Sequence, residues 1–503
     1  MKRSDVPRQL APLVAILFLG LLLRLAPWGS NRFLEDEALY AYWGLQIATG
    51  ADPMLDAEPV DKPPLYPYTL ALSFLLSAPS PDAAIGAGHE SAARLPSLLA
   101  SMASIVLVYA LARRLWQDTF TSLIAALLLA LSPFDILFAS TAFTDPLMVA
   151  LVLGALTAAA SDHPGLAGLL AGLAAAAKQQ GLFFLPLIVA VALLAAPAIN
   201  NSSAHRPWRR GWLRFALGFG LVIAGVLWWD LARVQRPGFL EQGLISYGGL
   251  APAQAASFGQ RGAEWLSLVG SFWVSPWFNA LLVVALLGWL AGGFAGGRKA
   301  WSRIDLALAI FCLTYLLLHW LVGFQVWDRY LLGLVPLLAL LGARAFSAIG
   351  QWASAAPWRV IYALVLTTVL LATLAAPALA AARSELPLGG DHGAYDGIDH
   401  LATYLRTQVP PGAVLYHYWL GYHYRFYLYG APLRLHWYPD LEDLVRDAQI
   451  YRREPRYIAF PSWRDGAPAT SALDEAGITL VPLYQTARRD GTTSFVLYHM
   501  DGP

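Results

Sequence analysis

"SNRFLEDEALYAYWGLQIATG", residues 30–50, opens on three consecutive acids, Glu35, Asp36 and Glu37, followed by an aromatic, helix-forming segment. It comes directly after an apolar run near residues 10–27, long enough to cross a bilayer core, which takes roughly 20 apolar residues. The acids therefore sit where the chain leaves a membrane. No small-residue cleavage site follows the run and many further apolar runs do, so it reads as a retained anchor and not as a removed signal. The segment itself reads as a helix that begins with acids at its positive end and stops at Gly50.

Composition agrees. Of 503 residues 57% are hydrophobic and 13% charged, and the mean hydropathy of +0.51 excludes an ordinary soluble globular protein. A formal net charge of +1 without a basic stripe excludes a nucleic-acid partner. The single cysteine, Cys312, can build neither a disulfide framework nor a cysteine metal site. Arginines number 30 against four lysines (Lys2, Lys62, Lys178 and Lys299), the usage of a GC-rich bacterial genome, so each lysine calls for a reason.

Working outward from residue 30, about eleven apolar segments qualify as spans: near 10–27, 95–111, 120–138, 146–160, 165–177, 181–198, 212–229, 270–293, 304–322, 330–348 and 359–379. With the N-terminus inside, the short basic loops all fall on the cytoplasmic side: Arg113 and Arg114, then Arg206, Arg209, Arg210 and Arg214, then Arg298, Lys299 and Arg303, then Arg344 with Arg359. The segment 28–94, the loop 230–269 and the tail then lie outside, and the sequon at Asn201 falls inside, where no glycan is added. We expect an α-helical polytopic membrane domain over 1–379, whose outer loop 28–94 carries two juxtamembrane helices. The second of these runs from Leu65 to about Ser77. Over 380–503 helices and short apolar strands alternate, the pattern of a small extracytoplasmic α/β domain.

On this topology seven ionisable residues gather at the outer edge: Asp36, Glu37, Asp61, Lys62, Asp145, Lys178 and Arg329. Charges at membrane depth are costly and point to function. Each also has a plainer reading. Asp36, Glu37 and Asp145 could be first-turn helix acids, and Lys178 and Arg329 interfacial anchors. Lys62 is the hardest to explain so, in a chain that defaults to arginine.

The motifs "LEDEALYAYWGLQIATG", "DKPPLYPY", "RLPSLLA", "TDP", "AKQQGLFFLP" and "DRYLLGLVP", in this order over about residues 10–350, resemble the membrane-embedded GT-C glycosyltransferases of the protein O-mannosyltransferase and lipid A aminoarabinose transferase kind. The resemblance implies a catalytic base at Asp36, a second acid at Asp145, and Lys62 and Arg329 beside the donor phosphate with Asp61 next to Lys62. Tyr40 and Lys178 are weaker matches. It also implies an enzyme that uses a polyprenyl-phosphate sugar (undecaprenyl or dolichyl) and an acceptor on a protein, lipid or glycan.

Elementary chemistry leads the same way. A polyprenyl monophosphate is already a weak base as a leaving group, so its departure needs nearby positive charge more than a general acid. The acceptor hydroxyl needs a base, and partial desolvation suits a carboxylate at a membrane edge for that task. Attack opposite the phosphate would invert the anomeric carbon. No cofactor is required, and a divalent metal is possible without being predicted. The aromatic run Tyr416–Gly430 reads as a strand and turn of a core, or a membrane-lying interface, before it reads as a sugar-stacking surface. Two rivals stand beside this reading. A transporter would place its charges at the midplane of repeated halves. A ligase or polymerase acting on lipid-diphosphate glycans would use outer-loop arginines such as Arg233, Arg236 and Arg261.

Overall fold

The structure, a computed structural model, describes residues 6–78, 86–195, 207–233, 237–247, 251–294, 301–350 and 356–502. Asn201, Arg206, Arg236, Arg298, Lys299 and the side chains of Arg209 and Arg210 lie outside the described residues.

Every apolar run of the sequence becomes helix. In chain order the helices are α1 (Val6–Leu25), α2 (Glu35–Thr49), α3 (Leu65–Ser77), α4 (Ala87–Trp116), α5 (Thr119–Ala130), α6 (Pro133–Ala139), α7 (Asp145–Ala160) and α8 (Pro164–Ala177). A 3-10 turn, Gln179–Phe184, leads into α9 (Leu185–Leu194). Then come α10 (Pro207–Ala232), α11 (Phe239–Tyr247), α12 (Phe258–Gly270), α13 (Pro276–Phe294), α14 (Arg303–Leu321), a second 3-10 turn at Asp328–Leu331, α15 (Leu334–Gly350) and α16 (Ala356–Ala382). Gly50 ends α2 as expected, at φ 73°. Among the described residues four helices are long and apolar enough to cross a membrane, or five if α5 and α6, bent by 60°, count as one; the other apolar helical stretches, such as Leu10–Leu25 and Pro276–Gly292, run to 10–17 residues. The segment near 120–138 is therefore interrupted at Leu131–Ser132, over which a hydropathy window runs straight, whereas the break at Lys178 falls between two of the segments read from the sequence.

The chain divides into two compact units: Met1–Pro27, Met54–Tyr66 and Pro96–Gly389 form the first, and Trp28–Pro53, Pro67–Leu95 and Gly390–Pro503 the second. In the first, α8 and α10 touch backbone to backbone. A Cβ on Gly168 would lie 2.0 Å from the Phe215 carbonyl oxygen, and one on Gly218 2.4 Å from that of Gly165. Small residues of this kind let membrane helices approach closely.

The α5–α6 break is closed by polar side chains. Pro133 offers no N–H to the turn before it. The freed carbonyls find other donors: Trp273 Nε1 reaches Leu128 O at 2.9 Å, and the Arg24 guanidinium reaches Leu129 O at 3.2 Å and Ala130 O at 3.1 Å. Arg24, wholly buried, also pairs with Asp135 at 2.5 Å, and both bind the Ser101 hydroxyl. A break at membrane depth survives only with its backbone groups satisfied in this manner.

The second unit holds a five-stranded sheet and four helices of the tail, in the order α17 (Ile398–Gln408), β1 (Val414–His417), α18 (Gly421–Tyr427), β2 (Arg434–Trp437), α19 (Leu441–Ile450), β3 (Arg456–Pro461), α20 (Ala467–Glu475), β4 (Thr479–Ala487) and β5 (Thr493–Asp501). Strand order is β2-β1-β3-β5-β4. β1 runs parallel to β2 and β3, and β5 antiparallel to β3 and β4. Val414, Tyr416, Leu444, Ile458 and Leu473 form its core. The aromatic run is a strand and then a helix, not a strand and turn, and α18 with the turn after it packs rings on the acid-led segment: Phe426 lies 5.1 Å from Phe33 and Tyr429 6.1 Å from Tyr42. Glu90 ties the same region together, accepting from Arg32, Arg94 and the Tyr427 hydroxyl at 3.0, 2.9 and 2.9 Å.

Candidate active site

The three acids of α2, in the second unit, have separate surroundings. Glu35 accepts from the Tyr395 hydroxyl. Glu37, 1% exposed, folds back to accept from the Leu34 N–H at 2.9 Å, the N3 half of a capping box, so Leu34 is the N-cap and Asp36 is not. Asp36 lies between them, half-buried, in the first turn. Tyr40, one turn on, is buried with its ring 5.5 Å from Trp43.

The first unit gathers the other five residues. In "VDKPP" both charges are buried, and Lys62 Nζ donates to Asp61 at 2.8 Å and to the Tyr247 hydroxyl, lying 4.3 Å over that ring. Gln179 Nε2 donates to the Asp61 carbonyl at 2.6 Å and joins this loop to the end of α8. There Lys178 turns the chain out of the helix in an extended conformation, φ −156°. Gly181 folds the 3-10 turn back so closely that a Cβ would meet the Ala174 backbone at 2.6 Å. The turn aims Lys178 Nζ at Asp145, 2.5 Å away at the head of α7, and 4.7 Å over the ring of Tyr330. Arg329, in the second 3-10 turn, is 8% exposed, with its guanidinium 4.8 Å over Phe143, 5.1 Å over Trp327 and 6.0 Å over Tyr330. Asp328 braces that turn by accepting from the backbone N–H of Arg329 at 2.7 Å and of Gly389 at 3.0 Å.

Three cations thus meet around one buried spot. Burial pushes Lys178 down to about 8 against the pull of Asp145, and the neighbouring charges of Arg329 and Lys62 lower it further. Such a site favours an anion that would share those protons. Both lysines among the described residues belong to it. Beside it the chain 182–190 and α14 line an open apolar cavity of about 510 Å³, with Leu182, Phe183, Leu187, Ile310 and Phe311 on its walls. Tyr315, at its edge, donates to the Tyr330 carbonyl at 2.8 Å, as does Gln180 at 3.0 Å. Among the described residues no group of three His, Cys, Asp or Glu could hold a metal ion.

Sequence reasoning missed the aromatic partners Tyr247 and Tyr330 and the clamps Gln179 and Gln180. Tyr330 and both glutamines stand inside quoted motifs, while nothing marked Tyr247. It also passed over Arg24 and Asp135, although Arg24 stands within the first apolar run.

A family model described as dolichyl-phosphate-mannose-protein mannosyltransferase matches residues 61–229, a stretch that begins at Asp61 and includes Lys62, Asp145 and Lys178. Comparison with curated protein sequences gives no match. Among solved structures the chain is similar to ArnT from Cupriavidus metallidurans in the apo state, at 15% identity and TM-score 0.63, with 96% of this chain and 97% of that one covered. The same protein bound to undecaprenyl phosphate gives 0.59 at 15% identity and the same coverage. The archaeal oligosaccharyltransferase AglB from Archaeoglobus fulgidus, in complex with an inhibitory peptide and a dolichol-phosphate, gives 0.52 at 14%, with 98% and 74% covered. Residues 61–229 thus match the mannosyltransferase family model, and the chain as a whole shares the fold of ArnT and AglB.

Proposed function

We propose that the chain transfers a sugar from a polyprenyl monophosphate to an acceptor hydroxyl on the outer face of the membrane, with inversion at the anomeric carbon. The observation that carries this reading is the convergence of Lys62, Lys178 and Arg329 next to an apolar cavity. A single phosphodiester on a long isoprenoid needs those two things side by side: charge-assisted donors for the phosphate and an apolar wall for the lipid. In this scheme Lys62, Lys178 and Arg329 neutralise the phosphate as the glycosidic bond breaks, which stabilises the leaving group in a site poor in water. Asp61 and Asp145 hold the two lysines in place. Asp36, half-buried in the first turn of α2, is the base that removes the acceptor proton. The ArnT complex with undecaprenyl phosphate and the AglB complex with dolichol-phosphate support a lipid-phosphate donor. The basic short loops support an inside N-terminus and an outside tail.

The test is incubation of the purified chain in lipid nanodiscs with a panel of polyprenyl-phosphate sugars, scoring consumption of each. Turnover of a monophosphate donor is the expected result. Turnover only of diphosphate-linked glycans would move the chain to the ligase reading, and movement of intact lipid without bond cleavage to the transporter reading.

A further inference from the structure

The sheet of the second unit has a switch point. From β1 the chain leaves through α18 toward β2 on one side, and from β3 through α20 toward β4 on the other, while β1 and β3 lie parallel and adjacent. In open α/β sheets the crevice at the carboxyl ends of two such strands is where ligands bind. A cleft of about 440 Å³ opens at that place, lined by the residues that follow β1 (Tyr418, Trp419), β2 (Tyr438, Asp440) and β3 (Arg464, Asp465).

Tyr418, Trp419, Tyr438 and Phe460 bring aromatic rings to its lining. Tyr418 and Trp419 are 39% and 43% exposed, their rings 4.5 Å apart and edge to face, so large apolar faces are held out to solvent in a well-packed domain. Arg464 lies 4.1 Å over Trp419 and has no ion pair among the described residues. Asp440 and Asp465 each spend one oxygen on a helix, Oδ1 accepting from the Asp443 N–H at 2.8 Å and the Ala467 N–H at 2.9 Å, and the second oxygen of each has no hydrogen bond among the described residues. Those two carboxylates outnumber the one guanidinium, which disfavours an anionic ligand. Aromatic faces for C–H surfaces, carboxylate oxygens to accept from hydroxyls and a guanidinium to donate to them are the complement of one molecule class.

We propose that this cleft binds a neutral saccharide unit. The inference stands apart from the transfer reading, whose donor residues all belong to the first unit, and binding here needs no lipid-phosphate donor.

Binding is measured on the full chain in nanodiscs, without donor, by saturation-transfer NMR and calorimetry. The probes are neutral mannose, glucose, galactose and N-acetylglucosamine oligosaccharides, a glucuronate-containing disaccharide and inorganic phosphate. A neutral saccharide is expected to bind, Trp419→Ala to weaken it about tenfold as a stacking face is lost, and Trp419→Phe to restore part of the affinity. Trp437→Ala removes an aromatic side chain 57% exposed on β2, outside the cleft, and is expected to leave binding unchanged. Matching thermal midpoints show that the variants are folded. Absence of neutral-saccharide binding, tighter binding of glucuronate or phosphate, or equal losses in Trp419→Ala and Trp437→Ala would overturn the proposal.

Discussion

Raising the pH should loosen the lipid donor through one residue, Lys178. Its pKa in the donor-free protein is lowered to about 8, first by burial and then by Arg329 and Lys62. The phosphodiester of a polyprenyl-phosphate sugar carries a fixed charge across this range, so the titrating partner is the lysine. An anion set beside Lys178 raises its pKa, so donor binding takes up a proton, and affinity is greatest below 8 and falls above it. If only the protonated lysine binds, the apparent dissociation constant scales with one plus ten to the power (pH minus pKa). From pH 7 to pH 9 that is about a tenfold loss, with little change between pH 6 and pH 7. The assay is equilibrium binding of the sugar-linked donor to the chain in nanodiscs, without acceptor, so that no proton transfer in catalysis enters. Lys178→Arg, which stays charged throughout, should bind with a flat profile. A wild-type curve flat from pH 6 to 9, or one as steep in Lys178→Arg, would refute the assignment of Lys178 to the phosphate.

Asp36→Asn should cut transfer by about 10²- to 10⁴-fold while donor binding survives, because an amide cannot act as a base; a near-normal turnover number would shift that role to Asp145. Glu37→Gln can still accept from the Leu34 N–H and should be mild, whereas Glu37→Ala should cost about 1 kcal/mol in denaturant unfolding without the same loss of chemistry. Lys62→Ala should weaken the donor and leave acceptor affinity unaltered, which separate binding titrations resolve. In a Cys312→Ala background, a cysteine at Asp490 should react with an impermeant reagent from outside and one at Arg114 only from inside; the reverse pattern would invert the topology.

Much of the site could be read from the chain because charge is rare in it. Asp145, Lys178 and Arg329 stand at the ends of apolar runs, where the cost of placing charge is the signal, and Lys62 is a lysine in a chain that defaults to arginine. Tyr247 and Tyr330 were hidden by the reverse circumstance: 22 tyrosines give no reason to choose two. The helices followed from hydropathy, and the break at Lys178 with them, but the break inside 120–138 did not, since Ser132 alone is too little to lower a window average. The union of α2 with the tail was unreadable for another reason. The hydroxyls of Thr49 and Tyr429 are 2.6 Å apart across 380 positions of sequence, and no local pattern encodes a contact of that range.

Two buried charge networks in the first unit show how structure separates a brace from a site. Arg24 and Asp135 are joined by a short ion pair, share the Ser101 hydroxyl, and spend the other donors of the guanidinium on the carbonyls of the α5–α6 break and of Gly20. That arrangement is closed, and a ligand entering it would displace a bond that the fold needs. Arg24→Met should therefore lower stability by about 3–5 kcal/mol, the cost of a buried carboxylate without its partner, and lower activity only in step with the folded fraction. Around Lys178 the order is reversed. Like charges sit close enough to depress its proton affinity, and the rings of Phe143, Tyr330 and Tyr247 supply the quadrupoles that let such cations be buried beside one another. An arrangement left in mutual repulsion is relaxed by an anion, so Lys62→Met or Arg329→Met should raise the pKa of Lys178 and steady the donor-free chain while weakening its hold on the donor. Opposite signs in unfolding and in binding are the mark of a site, and a variant here that lost stability and donor affinity together would place these cations with Arg24, among the braces.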